Sequence, residues 1–243
     1  MQDLTSFSSN SSQYEPNKSA SSALFCNRLV SLDDAISRTC ADFLVRWDSG
    51  GLQVRHVDAD SEPFFQYTTK DFISDQLQTI QLITHFNVEE INYLVILTEA
   101  ASTKTQSLWL VDPYSNIVTL LPFGFNNTKI ISIDVTKISA GKNLTHYVVL
   151  AGESQFFISG LTFKAESGFI VPTFTETYEV SHANENSTIS SVHAYSWSDW
   201  QEPILFIGSD QGTVDVYTLM ETGEVSLLCQ VETESPSKIF AIM

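Results

Sequence analysis

The residues that could do chemistry are thinly spread along this chain of 243 residues. No histidine is spaced with another histidine, a cysteine or an acid in the way that a metal site requires. Acidic pairs such as Asp33-Asp34 and Glu89-Glu90 fall in turns between strand candidates, whereas a glycosidase needs two acids that face one cleft. G-x-S-x-G, P-loop and G-x-G-x-x-G patterns are missing from the sequence. We therefore predict no catalytic residue, no metal ligand and no cofactor. The five histidines are His56, His85, His146, His182 and His193.

The stretch HAYSWSDWQEP, residues 193–203, is the most promising binding surface in the sequence. Trp197 and Trp200 flank Asp199 in a segment that connects two strand candidates. Exposed aromatic side chains often anchor protein partners, so Trp197, Asp199 and Trp200 are the candidate partner-binding residues. The alternative is that one tryptophan covers the core and the other packs on the loop. The acidic neighbours argue against stacking on nucleic acid bases.

The charge of the chain limits the classes of partner. The formal net charge is −17, from 12 basic and 29 acidic residues. This charge opposes direct binding to nucleic acid and to anionic membranes, and it favours basic peptides as partners. An acidic surface that serves only solubility is the other interpretation.

The compartment is inferred from apolar runs and cysteines. No apolar run of 18 residues occurs and the first residues lack a secretory signal, so we expect neither membrane insertion nor secretion. Cys26, Cys40 and Cys229 form no CxxC motif and no even-numbered framework. We expect reduced cysteines in the core of a cytoplasmic or nuclear protein.

The elements that must position these residues are short strands in a repeated pattern. An apolar run, a polar turn and an alternating strand occur in succession four times, beginning near Phe43, Tyr93, Val148 and Ile204. The period of about 50–56 residues is that expected of kelch-like or loosely built WD-type blades. A further strand candidate lies before and after each central hairpin, so each unit offers four strands.

This pattern predicts an all-β fold, a β-propeller built of four-stranded antiparallel blades, with about four blades plus one extra strand. Stacking would bury the two faces of each blade against its neighbours. Trp47 and Trp109 are expected in the core. The apolar residues of the fourth hairpin that should pack between blades are Ile204, Phe206, Val214, Val216 and Leu219. The predicted divisions are a disordered polar tail at 1–21, blades at about 22–70, 77–122, 128–180 and 188–234 within 22–236, and a last strand at 237–243.

The segment GSDQGTVDVYTL in the fourth unit resembles the second half of a WD40 repeat, which turns through Ser-x-Asp-Gly-Thr and ends in a Val-x-Val-Trp-Asp-like strand. Tyr217 stands where tryptophan is usual, and the other three units share only the rhythm of strands. The resemblance implies a divergent WD-type propeller. The repeat number also fits propellers of the damaged-DNA-binding/cleavage-factor family and of nucleoporin and coat scaffolds. The matching residues are Asp210, Gly212, Thr213, Val214, Val216 and Tyr217.

The last residues, SPSKIFAIM, match the first strand of a further unit. They are expected either to close a small ring by pairing with residues 23–30 or to begin another blade. We expect an incomplete ring, which would expose two apolar blade faces.

These expectations favour a non-catalytic interaction scaffold, a subunit or adaptor of a larger intracellular complex, and not an enzyme. Its partners would be other proteins, including basic peptides or a chain that completes the propeller. Two alternatives stay open: a propeller hydrolase that uses loop carboxylates, and a truncated product that needs a partner or further blades to fold. All three hypotheses rest on an analogy from fold to function.

Overall fold

The fold is seen in a computed structural model. It describes residues 22–26, 43–48, 51–56, 65–68, 78–88, 91–124, 128–140, 143–166, 169–184, 186–196, 202–233 and 238–239. The regular structure of these residues is β-strand throughout, with no helix among them. Accordingly, no helix in this part of the chain is long and apolar enough to cross a membrane. The predicted tail at 1–21 lies outside the described residues.

Among the described residues, sixteen strands form four antiparallel sheets of four strands, and each sheet keeps its strands in chain order. The first sheet contains β1 (Ser22–Cys26), β2 (Phe43–Asp48), β3 (Gly51–His56) and β4 (Phe65–Thr68). The second contains β5 (Gln78–Val88), β6 (Ile91–Ala100), β7 (Gln106–Asp112) and β8 (Ile117–Leu121). The third contains β9 (Ser132–Ala140), β10 (Asn143–Ala151), β11 (Gln155–Glu166) and β12 (Phe169–Ser181). The fourth contains β13 (Ile189–Tyr195), β14 (Ile204–Ser209), β15 (Thr213–Leu219) and β16 (Val225–Glu232).

The all-β class and the four-stranded antiparallel sheets are thereby confirmed. Every pairing among the described strands joins strands that are consecutive in the chain, as antiparallel connections allow. The predicted hairpin of the second unit corresponds to β6 and β7, and that of the fourth unit to β14 and β15.

The turn between β14 and β15 shows how the WD-like segment forms a hairpin. Gly212 has a φ of 80°, a left-handed conformation that glycine adopts without steric cost. The Ser209 hydroxyl accepts hydrogen bonds from the backbone N–H groups of Gln211 and Thr213, at 3.2 and 3.1 Å. Asp210 accepts a bond of 2.9 Å from the backbone N–H of Thr188, which ties the turn to the segment that leads into β13. These polar residues therefore fix the hairpin and its attachment to the preceding loop.

The second strand of an inner sheet is buried on both faces, which explains its continuous apolar sequence. In β6, Leu94 and Ile96 face the first sheet, whereas Tyr93, Val95 and Leu97 face the third. The strand β10 of the third sheet is likewise buried on both faces, against the second sheet on one side and the fourth sheet on the other. Period-two alternation thus distributes each strand between two cores.

Three apolar cores hold consecutive sheets together. The core between the first and second sheets includes Leu52, Val54, Leu94, Ile96 and Trp109. The core between the second and third includes Val95, Leu97, Val148, Leu150 and Phe157. The core between the third and fourth includes Val149, Phe156, Ile158, Leu205 and Ile207. Strands near the start of each sheet also contact the next sheet in order. The strand β2 contacts β5, β5 contacts β9, and β9 contacts β13.

The core predictions are partly right. Trp109 is buried as predicted, and the side chain of Trp47 lies outside the described part. The face assigned to β14 was wrong, because Leu205 and Ile207 pack against the third sheet and are fully buried. Both faces of this strand are apolar, so its alternation does not indicate which face is covered.

The predictions of buried residues in the fourth sheet are right for some side chains and wrong for others. Leu219 packs in the core between the third and fourth sheets as expected. Val216 is buried but lies outside that core, and Ile204, Phe206 and Val214 are only partly buried. Cys229 is a free thiol on the surface, so its predicted place in the core was wrong. It lies in β16, whose side chains are exposed over almost the whole strand.

The described residues near the end of the chain, 238–239, lie on the fourth sheet. The backbone N–H of Ile239 donates to the Ser209 carbonyl at 2.9 Å, and the Ser190 hydroxyl donates to the Ile239 carbonyl at 2.6 Å. A Cβ atom at Gly208 would lie 2.7 Å from Ile239 Cγ2, so this close approach requires glycine. The rest of 237–243 lies outside the described residues, and its pairing with residues 23–30 stays a prediction.

Candidate functional site

The predicted partner-binding residues Trp197, Asp199 and Trp200 all lie outside the described residues. The described chain stops at Ser196, immediately after β13, and Tyr195 at the end of that strand is 45% exposed. Ser196 also lines the cavity described next. The role of the tryptophan loop therefore stays a prediction.

A cavity of about 190 Å³ lies where β5, β9 and β13 come together, which are the first strands of the second, third and fourth sheets. It is open to solvent on one side, and the neighbouring strand β10 contributes His146 to its wall. The lining residues are His85, Phe86, Asn87, Val135, Thr136, Lys137, His146, Ala194 and Ser196. Three separate sheets thus contribute to one small site.

His146 is the most constrained polar group in the cavity wall. Only 1% of the residue is exposed, and its Nε2 atom lies 3.1 Å from the backbone carbonyl of Asn87. A carbonyl can only accept, so Nε2 must carry the proton and Nδ1 must present a lone pair. Burial lowers the pKa of His146 to about 4, which keeps the ring neutral at neutral pH. The ring is therefore a hydrogen-bond acceptor on its Nδ1 side.

Aromatic side chains hold this imidazole in place. The ring centroids of Phe86 and His146 are 4.8 Å apart, and Phe163 meets the imidazole edge-on at 6.0 Å. Tyr93 stacks on Phe86 at 5.7 Å and continues the group towards the core. Offset and edge-on contacts of this kind fix ring orientation, so the Nδ1 lone pair has a defined direction.

A second polar group joins β9 to β13 beside the cavity. Asp134 Oδ2 accepts from the backbone N–H of Ala194 at 2.8 Å and lies 2.9 Å from His193 Nδ1. Ser132 Oγ accepts from the backbone N–H of Val192 at 3.1 Å. The hydrogen bond to Asp134 raises the pKa of His193. These side chains satisfy N–H groups on the free edge of β13, so their first role is to join the third and fourth sheets.

The third histidine of this region, His85, has no described carboxylate at salt-bridge distance. Burial lowers its pKa, and the negative charge of Asp134 opposes that effect. His85 therefore contributes a neutral ring to the cavity wall at neutral pH.

A separate buried cluster surrounds His182, in the segment between β12 and β13. Its Nε2 atom lies 3.2 Å from Asp215 Oδ2, without the alignment of a hydrogen bond, and both side chains are almost fully buried. Gln230 donates to the other Asp215 oxygen at 2.7 Å, and Ser187 Oγ lies 3.4 Å from His182 Nδ1. This serine, histidine and aspartate are enclosed by protein, so the cluster joins a loop to β15 and β16.

These geometries bear on catalysis and metal binding. No group of three or more histidine, cysteine, aspartate or glutamate side chains within the described residues could hold a metal ion. The cavity lining that the structure describes includes no carboxylate, so it does not offer the paired acids of a glycosidase.

An exposed apolar strip on β16 is the other notable surface. Leu227, Leu228 and Val231, here called the β16 strip, are 47%, 54% and 50% exposed. Within the described residues, β16 pairs with β15 on one side and with no strand along its other edge. The exposed acids Glu221, Glu224 and Glu232 lie at the two ends of the strand.

The comparisons with known proteins give a structural likeness and no family. No protein-family model matches the chain, and the search of curated proteins returned no match. Among solved structures, the chain is similar to the full extracellular region of plexin A4, with 10% sequence identity and a TM-score of 0.48. The similarity covers 88% of this chain and 31% of the plexin chain, so this chain spans about a third of that protein's length.

Sequence reasoning missed the grouping of the histidines. His146 meets Asn87 across 59 residues, and Ala194 meets Asp134 across 60. Local spacing carries no signal at such separations. The available signal was positional, since His85 and His193 fall in the first strands of their units and first strands lie side by side.

Proposed function

We propose that this chain is a propeller-type interaction scaffold that binds an extended apolar and basic segment of another protein along β16. The observation that carries the proposal is the exposed β16 strip on an unpaired strand edge, flanked by acidic side chains. The function is binding and not catalysis, and the compartment is the cytoplasm or nucleus, with which the free thiol of Cys229 is compatible.

The arrangement of the sheets supports the propeller architecture. Each sheet is a four-stranded antiparallel meander, and the first strands β5, β9 and β13 contact one another in order. Blades of a β-propeller have this form, with first strands grouped near an axis and last strands at the rim. In that architecture β16 is a rim strand, and the four sheets form an incomplete ring.

The mode of binding follows from the free edge of β16. Backbone N–H and C=O groups on an unpaired edge can accept a further strand, and alternate side chains of that strand then meet the sheet's side chains. Leu228 and Val231 would contact apolar residues of the added strand. Pairing would cover a surface that otherwise invites non-specific association.

The charge of the partner follows from the acids near β16 and from the whole chain. Glu224 and Glu232 are exposed at the ends of the strand, and the net charge of the chain is −17. A lysine-rich segment would be attracted both by these two glutamates and by the net charge of the chain, while an acidic segment would be repelled. Charge accelerates encounter and selects the partner, and apolar contact supplies most of the affinity.

A binding titration tests the proposal. A short fluorescent peptide of alternating lysine and valine should bind the full chain, and a glutamate and valine peptide should not. Affinity should fall when ionic strength rises to about 1 M, where the Debye length is about 3 Å. Leu228→Ser should weaken binding roughly tenfold because it removes apolar contact at the centre of the strip and adds no charge.

A matched control is available on the second sheet. Leu120 in β8 is 55% exposed, almost the same as Leu228 at 54%, and it also lies on a last strand. Leu120→Ser should leave the affinity unchanged. Equal binding of the two peptides, or equal loss in the two variants, would overturn the proposal.

A further inference from the structure

The fourth sheet has one face packed on the third sheet and one face on which no described sheet stacks. Leu205 and Ile207 of β14 pack in the core with the third sheet. Side chains of a strand alternate between the two faces, and directly paired residues share a face. The opposite face, here called the outer face, therefore presents Ser191 and His193 of β13, Ile204, Phe206 and Gly208 of β14, and Val214 and Val216 of β15.

One described residue from the end of the chain, Ile239, already lies on the outer face. Its backbone N–H donates to the Ser209 carbonyl at 2.9 Å, and its carbonyl accepts from the Ser190 hydroxyl at 2.6 Å. Its side chain contacts the position where Gly208 lacks a Cβ atom. The chain therefore reaches this face at Ile239, and residues 240–243 follow outside the described part.

The attachment of Ile239 repeats the way in which earlier sheets begin. The backbone N–H of Ile130, just before β9, donates to Gln106 Oε1 at 2.7 Å, and that of Ile189, in β13, donates to the Glu153 carbonyl at 2.7 Å. Each acceptor lies in the central hairpin of the preceding sheet, as the acceptor of Ile239 does at the end of β14. Ile130 and Ile189 also pack in the core with that preceding sheet. Ile239 thus has the place of the isoleucine that starts a following first strand.

The spacing of apolar residues after this isoleucine is also repeated. The third residue after it is again isoleucine or valine, and in the described strands both residues pack on the preceding sheet. The terminal segment keeps the same spacing, so Ile242 is expected to pack beside Ile239. The four pairs are Ile80 and Ile83, Ile130 and Ile133, Ile189 and Val192, and Ile239 and Ile242.

A buried hydroxyl on the outer face lacks the hydrogen bond that its counterpart makes. In β9, Ser132 Oγ accepts from the backbone N–H of Val192 in the next first strand, at 3.1 Å. Ser191 is the equivalent residue of β13, because each serine is the second residue after the isoleucine that starts its strand. Ser191 is 5% exposed, and its Oγ has no hydrogen-bond partner within the described residues. Such a buried group is costly unless a donor reaches it, and the donor equivalent to Val192 is the N–H of Ile242.

We propose that residues 239–243 form a strand that docks on the outer face of the fourth sheet, in the place of a following first strand. Ile239 and Ile242 pack on the face, and the backbone N–H of Ile242 donates to Ser191 Oγ. The occupant of this part of the face is therefore the chain's own segment. The proposal uses no residue of the β16 strip, so it is independent of the proposed binding function.

Amide hydrogen exchange and nuclear Overhauser contacts, measured by NMR on the full chain, test this docking. The Ile242 amide should exchange at least about tenfold more slowly than an amide of an unstructured segment, and its methyl groups should contact β13 and β14. Exchange at the unstructured rate would overturn the proposal. Contacts to residues 23–30 without contacts to β13 would also overturn it, in favour of ring closure at the first sheet. Protection that rises with protein concentration would instead assign the strand to a second copy of the chain.

A pair of serine variants tests the hydrogen bond. Ser191→Ala removes the acceptor, so exchange of the Ile242 amide should accelerate about fivefold. Ser132→Ala is the matched variant of known geometry, and it should accelerate exchange of the Val192 amide by a similar factor. An effect of Ser132→Ala on Val192 without an effect of Ser191→Ala on Ile242 would contradict the assigned contact.

A pair of terminal variants tests the packing. Ile242→Ser removes apolar contact with the outer face, so exchange of the Ile239 amide should accelerate about tenfold. Met243→Ser is the control, because the next residue of a strand points to the opposite face, and the Ile239 amide should be unaffected. Equal exchange of Ile239 in the two variants would show that the segment does not dock through Ile242.

Discussion

At the scale of single residues, His146 joins two sheets through its ring. Its Nε2 atom joins β10 to the Asn87 carbonyl at the end of β5, and its ring packs against Phe86 and Phe163. The same burial that fixes the ring also disfavours its protonation. His193 is the opposite case, because its bond to Asp134 favours the protonated form.

The lowered pKa of His146 makes a prediction about stability and pH. The folded-state pKa of about 4 lies below the unfolded value of 6.5, so the unfolded chain binds more protons between these values. The contribution of His146 is therefore fully present above pH 6.5 and is lost as pH falls towards 4. Between pH 7 and pH 5 the wild-type chain should lose about 2 kcal/mol of unfolding free energy through this group. Urea unfolding at the two pH values measures the loss.

His146→Gln provides the comparison, since glutamine does not titrate. The difference in unfolding free energy between wild type and variant should shrink by about 2 kcal/mol from pH 7 to pH 5. His193→Gln should change the pH dependence in the other direction, because a raised pKa gives stability that is lost as pH rises through it. A pH-independent difference for His146→Gln would show that the ring is not held neutral.

Residue positions within the cavity could not be predicted from the sequence. Its walls come from segments that are about 50 residues apart, and the neighbours of a histidine are then set by the stacking of sheets. Trp109 was predictable as core because it lies in an apolar alternating strand. Cys229 was not, since an apolar sequence in a last strand need not be covered.

At the scale of elements, turns of the fourth sheet are held by side chains of the third. The turn between β15 and β16 accepts a bond of 2.8 Å from the Tyr147 hydroxyl to the Glu221 carbonyl. Gly223 in the same turn is buried against the ring of Tyr178 and has a φ of 88°. Two tyrosines from β10 and β12 thus orient the turn that leads into β16.

Gly223→Ala should destabilise the fold. An alanine at this φ is strained by about 1–2 kcal/mol, and its Cβ would meet the Tyr178 ring at less than contact distance. Thermal and urea unfolding of the variant measure the loss. The control is Gly124→Ala, because Gly124 has no atom within 4 Å of an added Cβ and its change should stay within about 0.5 kcal/mol. Equal stability of the two variants would contradict this account of the turn.

The elements themselves were largely predictable. The apolar runs and polar turns of the sequence mark hairpins that the structure forms, as in β6–β7 and β14–β15. The face of β14 was not predictable, because Ile204, Leu205, Phe206 and Ile207 are all apolar. The fourth sheet stacks on one described neighbour, the third sheet, and this contact decides which of these residues is buried.

At the scale of the whole molecule, four sheets stack through three cores, and the last strand of the fourth is left exposed. In the proposed interaction, the acidic charge of the chain would attract a basic segment, and the β16 strip would give that segment an apolar surface. The composition indicated the charge of a partner, but the place of contact depends on which strand remains uncovered. The packing of the sheets decides which strand remains uncovered, and no local sequence pattern indicates it.

Hydrogen exchange with mass spectrometry tests the central claim most directly. The full chain is compared with and without the lysine and valine peptide. Pairing along the free edge predicts slower exchange of amides in β16, Val225–Glu232, and unchanged exchange in β8, Ile117–Leu121. Unchanged exchange in β16, or equal slowing in both strands, would contradict an interaction scaffold that binds its partner at this edge.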